Sequence, residues 1–399
     1  MFRHLSEPRD GWRKTVKEQG LVWAETDRPD GTKTPYWNEA AMYEFSEAEV
    51  AELETATEAL TGMCHAVVRH VLAGGPSMLA QFALPLRAFD YIKASYEGHE
   101  PSIYGRFDLS YDGLTPPKML EFNGDTPTGL LETSVIQWYW LRDVMPSTDQ
   151  WNSVHERLVA AWKKVGRPRI HFAHLGEESS GEEWMTVAYM RDTAIEAGLE
   201  TFGIEVEQIG WDSARRVFVD MDNQPIYTCF KLYPWEAMLS EPFGERILDH
   251  PHACRWIEPA WKALLSNKAL LPLLWELYPD HPNLLPAYRE QGALTQYVRK
   301  PLHGREGAGI AIVSEGVTVL PQDPSSGTEG NVYQQYIDLP RFDGNYVVLG
   351  SWVVDDQPAG CLVRESDGPV TDYYSRVVPH IISTPLPDLE TQRAWLAER

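Results

Sequence analysis

The sequence predicts an α+β protein that combines antiparallel sheets with a small α/β lobe. Strand-like and helix-like runs alternate between residues 167 and 255, as they do in α/β units. The last third of the chain consists mostly of strand-like runs separated by turn residues. The 399 residues, 43% of them hydrophobic, are enough to bury a large core. We therefore expect three parts, at 1–166, 167–255 and 256–399, that form one functional unit.

The N-terminal part contains a clear helix start and a strand that ends in polar residues. Ser46 and Glu49 have the spacing of a capping box, and an apolar pattern of helical period follows to about Leu72. The run P-P-K-M-L-E-F-N, which ends at Asn123, predicts a strand. A strand that ends in this way delivers polar groups to the edge of a sheet.

The later parts are rich in strands. R-I-H-F-A-H-L predicts a strand from Arg169, and the helical run that follows ends near Gly198. T-Q-Y-V-R-K-P and G-I-A-I-V predict two strands on either side of a glycine-containing loop. Y-V-V-L-G-S-W-V-V and A-G-C-L-V-R predict a hairpin with the turn D-D-Q-P. These runs place an antiparallel sheet late in the chain.

Composition excludes several classes of protein. The net charge of −23 argues against a nucleic-acid partner, because such binding rests on Lys and Arg neutralising phosphates. The four cysteines lie far apart without a C-x-x-C pair, which excludes a disulfide framework and a zinc knuckle. No run approaches the roughly 18 apolar residues of a membrane helix, and the first residues lack an apolar signal core. The sequence therefore predicts a cytoplasmic protein without a membrane partner.

Two polar clusters follow each other in the N-terminal part. Y-G-R-F-D contains Arg106 and Asp108, and L-E-F-N-G-D-T-P-T-G contains Glu121, Asn123 and Asp125. Carboxylates beside an amide suit a hard cation, whereas an arginine among them suits a phosphate. The residues by themselves leave both ligands open.

A glycine-rich loop begins after Lys300, in K-P-L-H-G-R-E-G-A-G-I. Its backbone N–H groups could approach phosphate oxygens, because Gly304, Gly307 and Gly309 carry no side chain. The loop joins two predicted strands and lacks the order G-x-x-x-x-G-K-[ST], so neither a P-loop nor a dinucleotide fingerprint is supported. Taken alone, it is more simply read as a β-turn.

A second lysine, Lys268, begins an apolar helical run after Ser266 and Asn267. Lysines from two separate segments, one on each side of a nucleotide, would neutralise its phosphates. The alternative is a surface lysine in the first turn of a helix, where the helix dipole slightly disfavours it.

Six blocks occur with the order and spacing of a known family: Y-G-R-F-D, L-E-F-N-G-D-T-P-T, F-K-L-Y-P-W-E, E-P-A-W-K…N-K-A-L-L-P-L-L-W, V-R-K-P-L-H-G-R-E-G and V-Y-Q-Q-Y. The chain resembles the synthetase domain of glutathionylspermidine synthase and its stand-alone relatives, which are ATP-grasp carboxylate–amine ligases. The similarity extends from the first W-R to about Arg376 and implies an ATP-grasp fold with a glycine-rich phosphate flap. The amidase domain of the two-domain enzyme has no counterpart here, so we expect no glutathionylspermidine hydrolysis.

The resemblance implies that ATP and Mg²⁺ are the cofactors and assigns residues to them. Asp108, Glu121 and Asn123 match the magnesium ligands of the family. Arg106 matches the arginine that faces the transferred phosphoryl group, and Arg364 matches one near the substrate carboxylate and acyl phosphate. The positions that match nucleotide-binding residues are the lysines Lys268 and Lys300, the flap residues Glu306 and Gly307, and the adenine-reading segment Gln334, Gln335, Tyr336 and Ile337.

The substrate end departs from the family pattern. Thr126 and Thr128 stand where the family has serines near its peptide substrate, in N-G-D-T-P-T instead of N-A-D-S-A-S. Val348 replaces a glutamine associated with the nucleotide. Glu182 and Glu183 lie where the synthase places paired acidic residues for the polyamine. Their alternative role is the first turn of a helix, which favours acidic side chains.

The implied reaction is an ATP-dependent ligation. A substrate carboxylate, such as that of a glutathione-like peptide, forms an acyl phosphate, and a polyamine or another amine displaces the phosphate to give an amide. A non-catalytic ATP-binding protein of the same fold is the alternative, but it has less use for Arg106. A metal-dependent phosphoesterase built on Asp108, Glu121 and Asp125 would leave both lysines without a role.

Overall fold

A computed structural model describes residues 1–28, 30–176, 181–305, 307–321 and 326–383. Within these ranges the chain is an α+β protein with several antiparallel sheets, as the sequence predicts. The α-helices are α1 (Trp12–Glu18), α2 (Glu47–Gly74), α3 (Phe89–Glu97), α4 (Gln137–Val144), α5 (Val154–Lys164), α6 (Glu182–Glu196), α7 (Trp235–Ser240), α8 (Pro242–Asp249) and α9 (Leu270–Leu277). The strands are β1 (Phe2–Leu5), β2 (Glu25–Asp27), β3 (Lys33–Pro35), β4 (Ala41–Phe45), β5 (Tyr104–Ser110), β6 (Lys118–Asn123), β7 (Arg169–His174), β8 (Glu200–Glu205), β9 (Gly210–Asp212), β10 (Val217–Val219), β11 (Thr228–Lys231), β12 (Arg255–Ile257), β13 (Ala287–Tyr288), β14 (Tyr297–Pro301), β15 (Ala311–Ser314), β16 (Val317–Leu320), β17 (Asn331–Gln335), β18 (Arg341–Phe342), β19 (Asn345–Val354), β20 (Gln357–Ser366), β21 (Arg376–Val378) and β22 (His380–Ile382).

The largest sheet joins early and late parts of the chain. In the described residues its order is β21-β20-β19-β5-β6, with β18 also paired to β19. All of these pairs are antiparallel. β5 therefore lies between β6, its neighbour in sequence, and β19, which lies far away in sequence. The hairpin of β19 and β20 is the one predicted around D-D-Q-P.

A second antiparallel sheet, of order β13-β17-β14-β15-β16, carries the glycine loop. Lys300 lies in β14 opposite Val332 of β17. β14 and β15 are antiparallel neighbours, so the loop between them joins two strands, as predicted. Gly307 in this loop has a φ of 72°, a conformation that side chains disfavour.

A parallel sheet lies within residues 169–257 in the order β12-β11-β7-β8. α6 connects β7 to β8, which confirms the predicted alternation of strands and helices. Parallel strands bring their carboxyl ends to one edge of a sheet. At that edge Lys231, the last residue of β11, reaches Asp125 in the loop after β6. The division of the chain into three parts stays a prediction.

Helix α2 supports the largest sheet. The Ser46 Oγ atom accepts a hydrogen bond from the Glu49 N–H at 3.2 Å, and the Glu49 carboxylate accepts one from the Ser46 N–H at 2.7 Å. The predicted capping box is therefore present. The hydroxyl groups of Thr57 on α2 and Ser351 on β19 lie 2.7 Å apart in the core. None of the helices in the described ranges combines the length and the apolar character needed to span a bilayer.

Candidate functional site

The paired strands β5 and β6 bring the two polar clusters together. Their register places Asp108 opposite Glu121 and Arg106 opposite Asn123. Because side chains alternate along a strand, residues two apart share a face, and all four side chains lie on one face of the sheet. The Asn123 Nδ2 atom donates to Glu121 Oε1 at 3.0 Å and to Asp108 Oδ2 at 3.3 Å. The predicted metal and phosphoryl residues therefore form one cluster.

Two arginines bind the Asp108 carboxylate. Arg106 Nε donates to Oδ1 at 2.8 Å, and Arg364 Nη2 lies 2.6 Å from Oδ2. Arg364 comes from β20, and Gly350 of β19 lies opposite Asp108. A Cβ atom on Gly350 would lie only 2.7 Å from the Arg106 Cδ atom, so glycine leaves the room that this side chain needs. The spacing of residues in the sequence does not predict that Arg364 lies in this cluster.

The two predicted nucleotide lysines flank Glu121. Lys268 Nζ lies 2.9 Å from Glu121 Oε2, and Lys268 is only 6% exposed, so it is not a surface lysine. Lys300 Nζ donates to the Leu120 carbonyl oxygen and to Gln334 Oε1, each at 2.7 Å. Burial lowers the pKa of Lys300 to about 8. Burial opposes ionisation of Glu121, but the two ammonium groups outweigh it and hold the pKa of Glu121 well below its usual range.

One pocket at this cluster has mostly apolar walls. Its lining includes Lys300 and the predicted adenine-reading segment Gln334–Ile337. Val348, at the position where the family has a glutamine, also lines it. The N–H groups of Gln335 and Tyr336 donate to the carbonyl oxygens of Pro286 and Gln296, at 2.7 and 3.2 Å. We call this space the nucleotide pocket, after the sequence prediction.

A second pocket, which we call the substrate pocket, has mainly polar walls. Arg106, Asn123 and Arg364 line it, as do the predicted substrate residues Thr126, Thr128, Glu182 and Glu183. Glu121, Gly307 and Thr371 line both pockets, which therefore adjoin. A Cβ atom on Gly307 would lie 2.6 Å from Val370 Cγ1 and 2.7 Å from the Thr371 carbonyl oxygen, so the glycine loop touches this wall. Glu306, which the sequence analysis places at the flap, lies outside the described residues.

Sequence reasoning missed Arg305. It lines the substrate pocket, and its guanidinium donates to Thr126 Oγ1 at 2.5 Å and to Glu236 Oε1 at 2.7 Å. The ion pair with Glu236 contributes to a raised pKa for Arg305 and a lowered one for Glu236, against the opposing effect of burial. The sequence signal that could have identified this residue is an arginine within the glycine-rich loop, but our interpretation of that loop used only its glycines.

Asp125, which the sequence places in the second polar cluster, lines neither pocket. Asp125 is fully buried, and its carboxylate faces away from the cluster toward Lys231. Burial raises the pKa of Asp125 and lowers that of Lys231. The neighbouring Thr126 and Thr128 do line the pocket. A phosphoesterase centre that includes Asp125 is therefore excluded.

The chemistry of the cluster fits a magnesium ion. In the part of the chain that the structure describes, no group of three or more His, Cys, Asp or Glu side chains could hold a metal. The predicted set is different, because it consists of two carboxylates and an amide, which are oxygen ligands that Mg²⁺ accepts. As placed, Asn123 turns its NH₂ group to the carboxylates, and a metal there requires the amide oxygen instead. The Arg364 Nε atom is also buried without a hydrogen-bond partner among the described residues, as expected beside an anion site.

Comparison with known proteins shows the family to which the whole chain is similar. A model of the glutathionylspermidine synthase preATP-grasp family matches residues 3–383. A Haemophilus influenzae protein provisionally named an acid–amine ligase is 39% identical over 368 residues, which cover 88% of this chain and 92% of that protein. The trypanothione synthetase of Crithidia fasciculata is 28% identical over 322 residues, or 73% of this chain and 49% of that protein. The bifunctional glutathionylspermidine synthetase/amidase of Escherichia coli is 28% identical over 375 residues, or 85% and 59%.

The chain thus spans only about half to three-fifths of the length of the last two relatives. Among solved structures, a glutathione synthetase-like effector from Globodera pallida aligns with a TM-score of 0.56 at 11% identity. The alignment covers 95% of this chain and 98% of the effector. At this low identity, the similarity shows a shared fold and nothing more.

Proposed function

Because the chain belongs to the glutathionylspermidine synthase preATP-grasp family, we propose that it is an ATP-dependent ligase that joins a carboxylic acid to an amine through an acyl phosphate. The observation that carries the proposal is the junction of the two pockets at Glu121, with Arg106 and Arg364 beside it. A phosphoryl group passing from a nucleotide in one pocket to an acid in the other would cross this junction.

Several features of the nucleotide pocket support ATP as its ligand. Apolar walls suit a purine, and Lys300 in the wall, with Lys268 beside Glu121, suits its phosphates. The N–H groups of Gln335 and Tyr336 are already engaged, so adenine would be read by other backbone groups of this segment. The glycine loop between β14 and β15 would act as the flap over the phosphates, in the ATP-grasp manner.

Asp108, Glu121 and Asn123 would hold Mg²⁺, which neutralises phosphate charge when it is bound. The protein's own contribution is to keep these ligands in place. Lys268 forms an ion pair with Glu121, and Arg106 and Arg364 hold the Asp108 side chain in position. A phosphate that attracts these cations would release the carboxylate oxygens toward the metal.

Phosphoryl transfer depends on position and charge more than on covalent chemistry. A carboxylate oxygen of the acid attacks the γ-phosphorus, the bond to ADP breaks, and an acyl phosphate forms. Arg106 would stabilise the negative charge on the transferring group with its planar fork. Arg364 would hold the acid and then the acyl phosphate. This step uses no serine or cysteine nucleophile.

Amide formation completes the reaction. The amine nitrogen attacks the acyl carbon, the carbon–oxygen bond to phosphate breaks, and the nitrogen loses a proton. Thr126 and Thr128 would line the acid, while Glu182 and Glu183 would attract a cationic amine. The names of the relatives suggest a glutathione-like peptide and a polyamine as first candidates. The C-terminus of a protein offers the same carboxylate.

The test is ADP formation from Mg-ATP across a panel of peptides and amines that includes glutathione with spermidine. Arg106→Ala serves as the inactive variant. Arg87→Ala is the matched control, because Arg87 forms surface ion pairs with Glu245 and Asp249. ADP release that needs both acid and amine and is lost only in Arg106→Ala supports the ligase. ATP binding without turnover on any pair would contradict it in favour of a binding protein.

A further inference from the structure

Tyr36 and Glu132 form a buried pair at the wall of the substrate pocket. The Tyr36 hydroxyl donates to Glu132 Oε1 at 2.6 Å, and neither residue is more than 9% exposed. Tyr36 lines the pocket, whereas Glu132 does not. The buried carboxylate is therefore linked to the pocket wall through a hydroxyl group.

The surroundings hold both members of the pair in place. Glu132 begins a π-helical turn directly before α4, a form of helix that is frequent at functional sites. The next residue, Thr133, fixes this turn, because its Oγ1 atom accepts a hydrogen bond from the Trp352 indole N–H at 2.8 Å. The Tyr36 ring stacks on Trp23, with ring centroids 4.4 Å apart. The hydroxyl and the carboxylate therefore meet between two supported segments.

The charged groups that act on the pair belong to the substrate pocket. Glu182 and Arg364 line the pocket and act electrostatically on the Tyr36 hydroxyl. Arg106, which also lines it, acts on Glu132. Within the described residues, Glu132 forms no ion pair, and Tyr36 is its only side-chain hydrogen-bond partner. A buried carboxylate that is not paired with a cation takes up a proton more readily than a paired one.

Burial adapts both groups to the transfer of a proton. Burial raises the pKa of Glu132, although the hydrogen bond from Tyr36 opposes this. A general base works best when its pKa lies near the working pH. Burial and the nearby Glu132 charge raise the pKa of Tyr36 well above its usual value, so the phenol stays neutral. A neutral phenol relays a proton by accepting one on its oxygen as it donates its own.

The second step of the proposed reaction requires such a base. An alkylamine is an ammonium ion at pH 7, as the lysine side chain is, with its pKa of about 10.4. An ammonium nitrogen has no lone pair and cannot attack the acyl carbon. A group at the pocket wall must therefore take a proton from the amine before the amide can form.

We infer that Tyr36 and Glu132 form a proton relay that deprotonates the acceptor amine. The ammonium group gives a proton to the Tyr36 oxygen while the Tyr36 hydroxyl proton passes to Glu132 Oε1. The nitrogen attacks the acyl carbon with its freed lone pair, the carbon–oxygen bond to phosphate breaks, and the departing phosphate takes the second proton. Glu132 returns its proton through Tyr36 after the amide has left. The inference rests on the proposed function and adds the base for its second step.

The test compares two nucleophiles of the same size, ethylamine and methoxyamine. Ethylamine is protonated at pH 7, whereas methoxyamine is neutral because its oxygen withdraws electrons from the nitrogen, so it needs no base before attack. ADP release is measured with glutathione as the acid, or with the panel acid that supports the most turnover. Glu132→Gln keeps an acceptor for the Tyr36 hydroxyl, and Tyr36→Phe keeps the ring. Each variant should lower kcat/KM for ethylamine by about 100-fold and change that for methoxyamine by less than about threefold.

The pH profile gives a second readout that a merely structural role would not change. In the wild type, kcat/KM for ethylamine should level off once the Glu132 carboxylate is ionised. In Glu132→Gln it should rise by about tenfold per pH unit up to pH 9, in proportion to the fraction of neutral amine. The difference between variant and wild type should therefore shrink as the pH rises.

Glu245→Gln and Tyr227→Phe are the matched controls, because both residues are exposed and line neither pocket. Near-ultraviolet circular dichroism checks the fold of each variant, and Glu132→Gln decides if Tyr36→Phe does not fold. Equal losses for the two amines would show a structural role and overturn the inference. Unchanged activity with ethylamine, or a wild-type pH profile in Glu132→Gln, would overturn it in favour of another base.

The wild type separates this inference from the proposed function. Turnover of methoxyamine but not of ethylamine would overturn the relay alone, since a ligase without a base for alkylamines behaves in this way. Absence of turnover with both amines and with every pair of the panel would contradict the proposed function, and the inference would fail with it.

Discussion

The Nζ atom of Lys231 lies 2.5 Å from Oδ1 of Asp125, and neither residue is more than 1% exposed. The other carboxylate oxygen accepts the Trp235 N–H at 2.8 Å. The pair joins the end of a parallel strand to the loop that follows β6. The turn that carries Thr126 and Thr128 is therefore fixed by a charge pair on its far side.

Breaking this pair should destabilise the protein strongly. Lys231→Met leaves the Asp125 carboxylate buried without its partner, and we expect the free energy of unfolding to fall by about 3–5 kcal/mol. Lys231→Met combined with Asp125→Leu should recover part of the loss, because no unpaired charge remains. Urea denaturation followed by tryptophan fluorescence measures both. Lys164→Met, at the exposed pair with Asp355, should cost less than about 1 kcal/mol. Equal losses in the two single variants would contradict the role of the buried pair.

Arg106→Lys should reduce turnover while preserving nucleotide binding. Lysine keeps the positive charge but lacks the planar fork that contacts Asp108 and would hold a transferring phosphoryl group. We expect kcat to fall by about 100-fold, with KM for ATP changed far less. Steady-state ADP formation measures both, with Arg87→Lys as the control. An unchanged kcat would remove Arg106 from the phosphoryl-transfer step.

Asp108→Asn should raise the magnesium concentration needed for activity. The substitution keeps the shape of the side chain but removes the charge that a cation requires. We expect the half-saturating Mg²⁺ concentration to rise by about tenfold or more, with a large loss of rate. Near-ultraviolet circular dichroism checks that the variant is folded. Asp249→Asn, which changes a surface ion pair, is the control. A folded variant with the wild-type rate and magnesium dependence would refute the assignment.

The buried His380 should make stability depend on pH. Burial lowers its pKa to about 4, and its Nε2 atom accepts the Trp151 N–H at 3.2 Å, so the ring is neutral when folded. The unfolded chain takes up a proton near pH 6.5 and the folded chain only near pH 4. Stability is therefore complete above about pH 6.5 and decreases as the pH falls toward 4.

His380→Gln isolates this effect, because glutamine can still accept the Trp151 N–H without titrating. Between pH 7 and pH 5 the wild type should lose about 2 kcal/mol more unfolding free energy than the variant. Urea denaturation at the two pH values is the measurement. Equal losses in the two proteins would show that His380 does not contribute.

Local pattern predicted many elements of this fold. The capping box of Ser46 and Glu49 and the strand ending at Asn123 depend on neighbours in sequence, and both are present. The shared face of Arg106 and Asp108 follows from the two-residue period of a strand. The hairpin of β19 and β20 follows from its turn residues.

The local sequence pattern could not predict contacts between segments that are distant in the sequence. Nothing near β5 indicates that β19 pairs with it, so only the family resemblance assigned Arg364 to the site, and its contact with Asp108 was not predicted. Asp125 looked like a member of the cluster because Asn123, two residues earlier, is one. The direction of the Asp125 side chain is set by its ion pair with Lys231, which lies in another part of the sequence. At Asp125, therefore, an ion pair with a distant residue determines where the side chain lies, and the local spacing in the sequence does not.

At the junction of the two pockets, arginine and lysine side chains are the counterions of the two carboxylates. Six charged side chains of the described residues are in contact or adjacent there, and four of these six are cations and two are carboxylates, which leaves two positive charges in excess among them. A nucleoside triphosphate that carries a magnesium ion brings a negative excess and would exchange with these pairs. Binding would then replace one set of ionic contacts by another, and the ligand would supply the counterions for the two positive charges that are in excess without it. The six residues are Arg106, Arg364, Lys268, Lys300, Asp108 and Glu121.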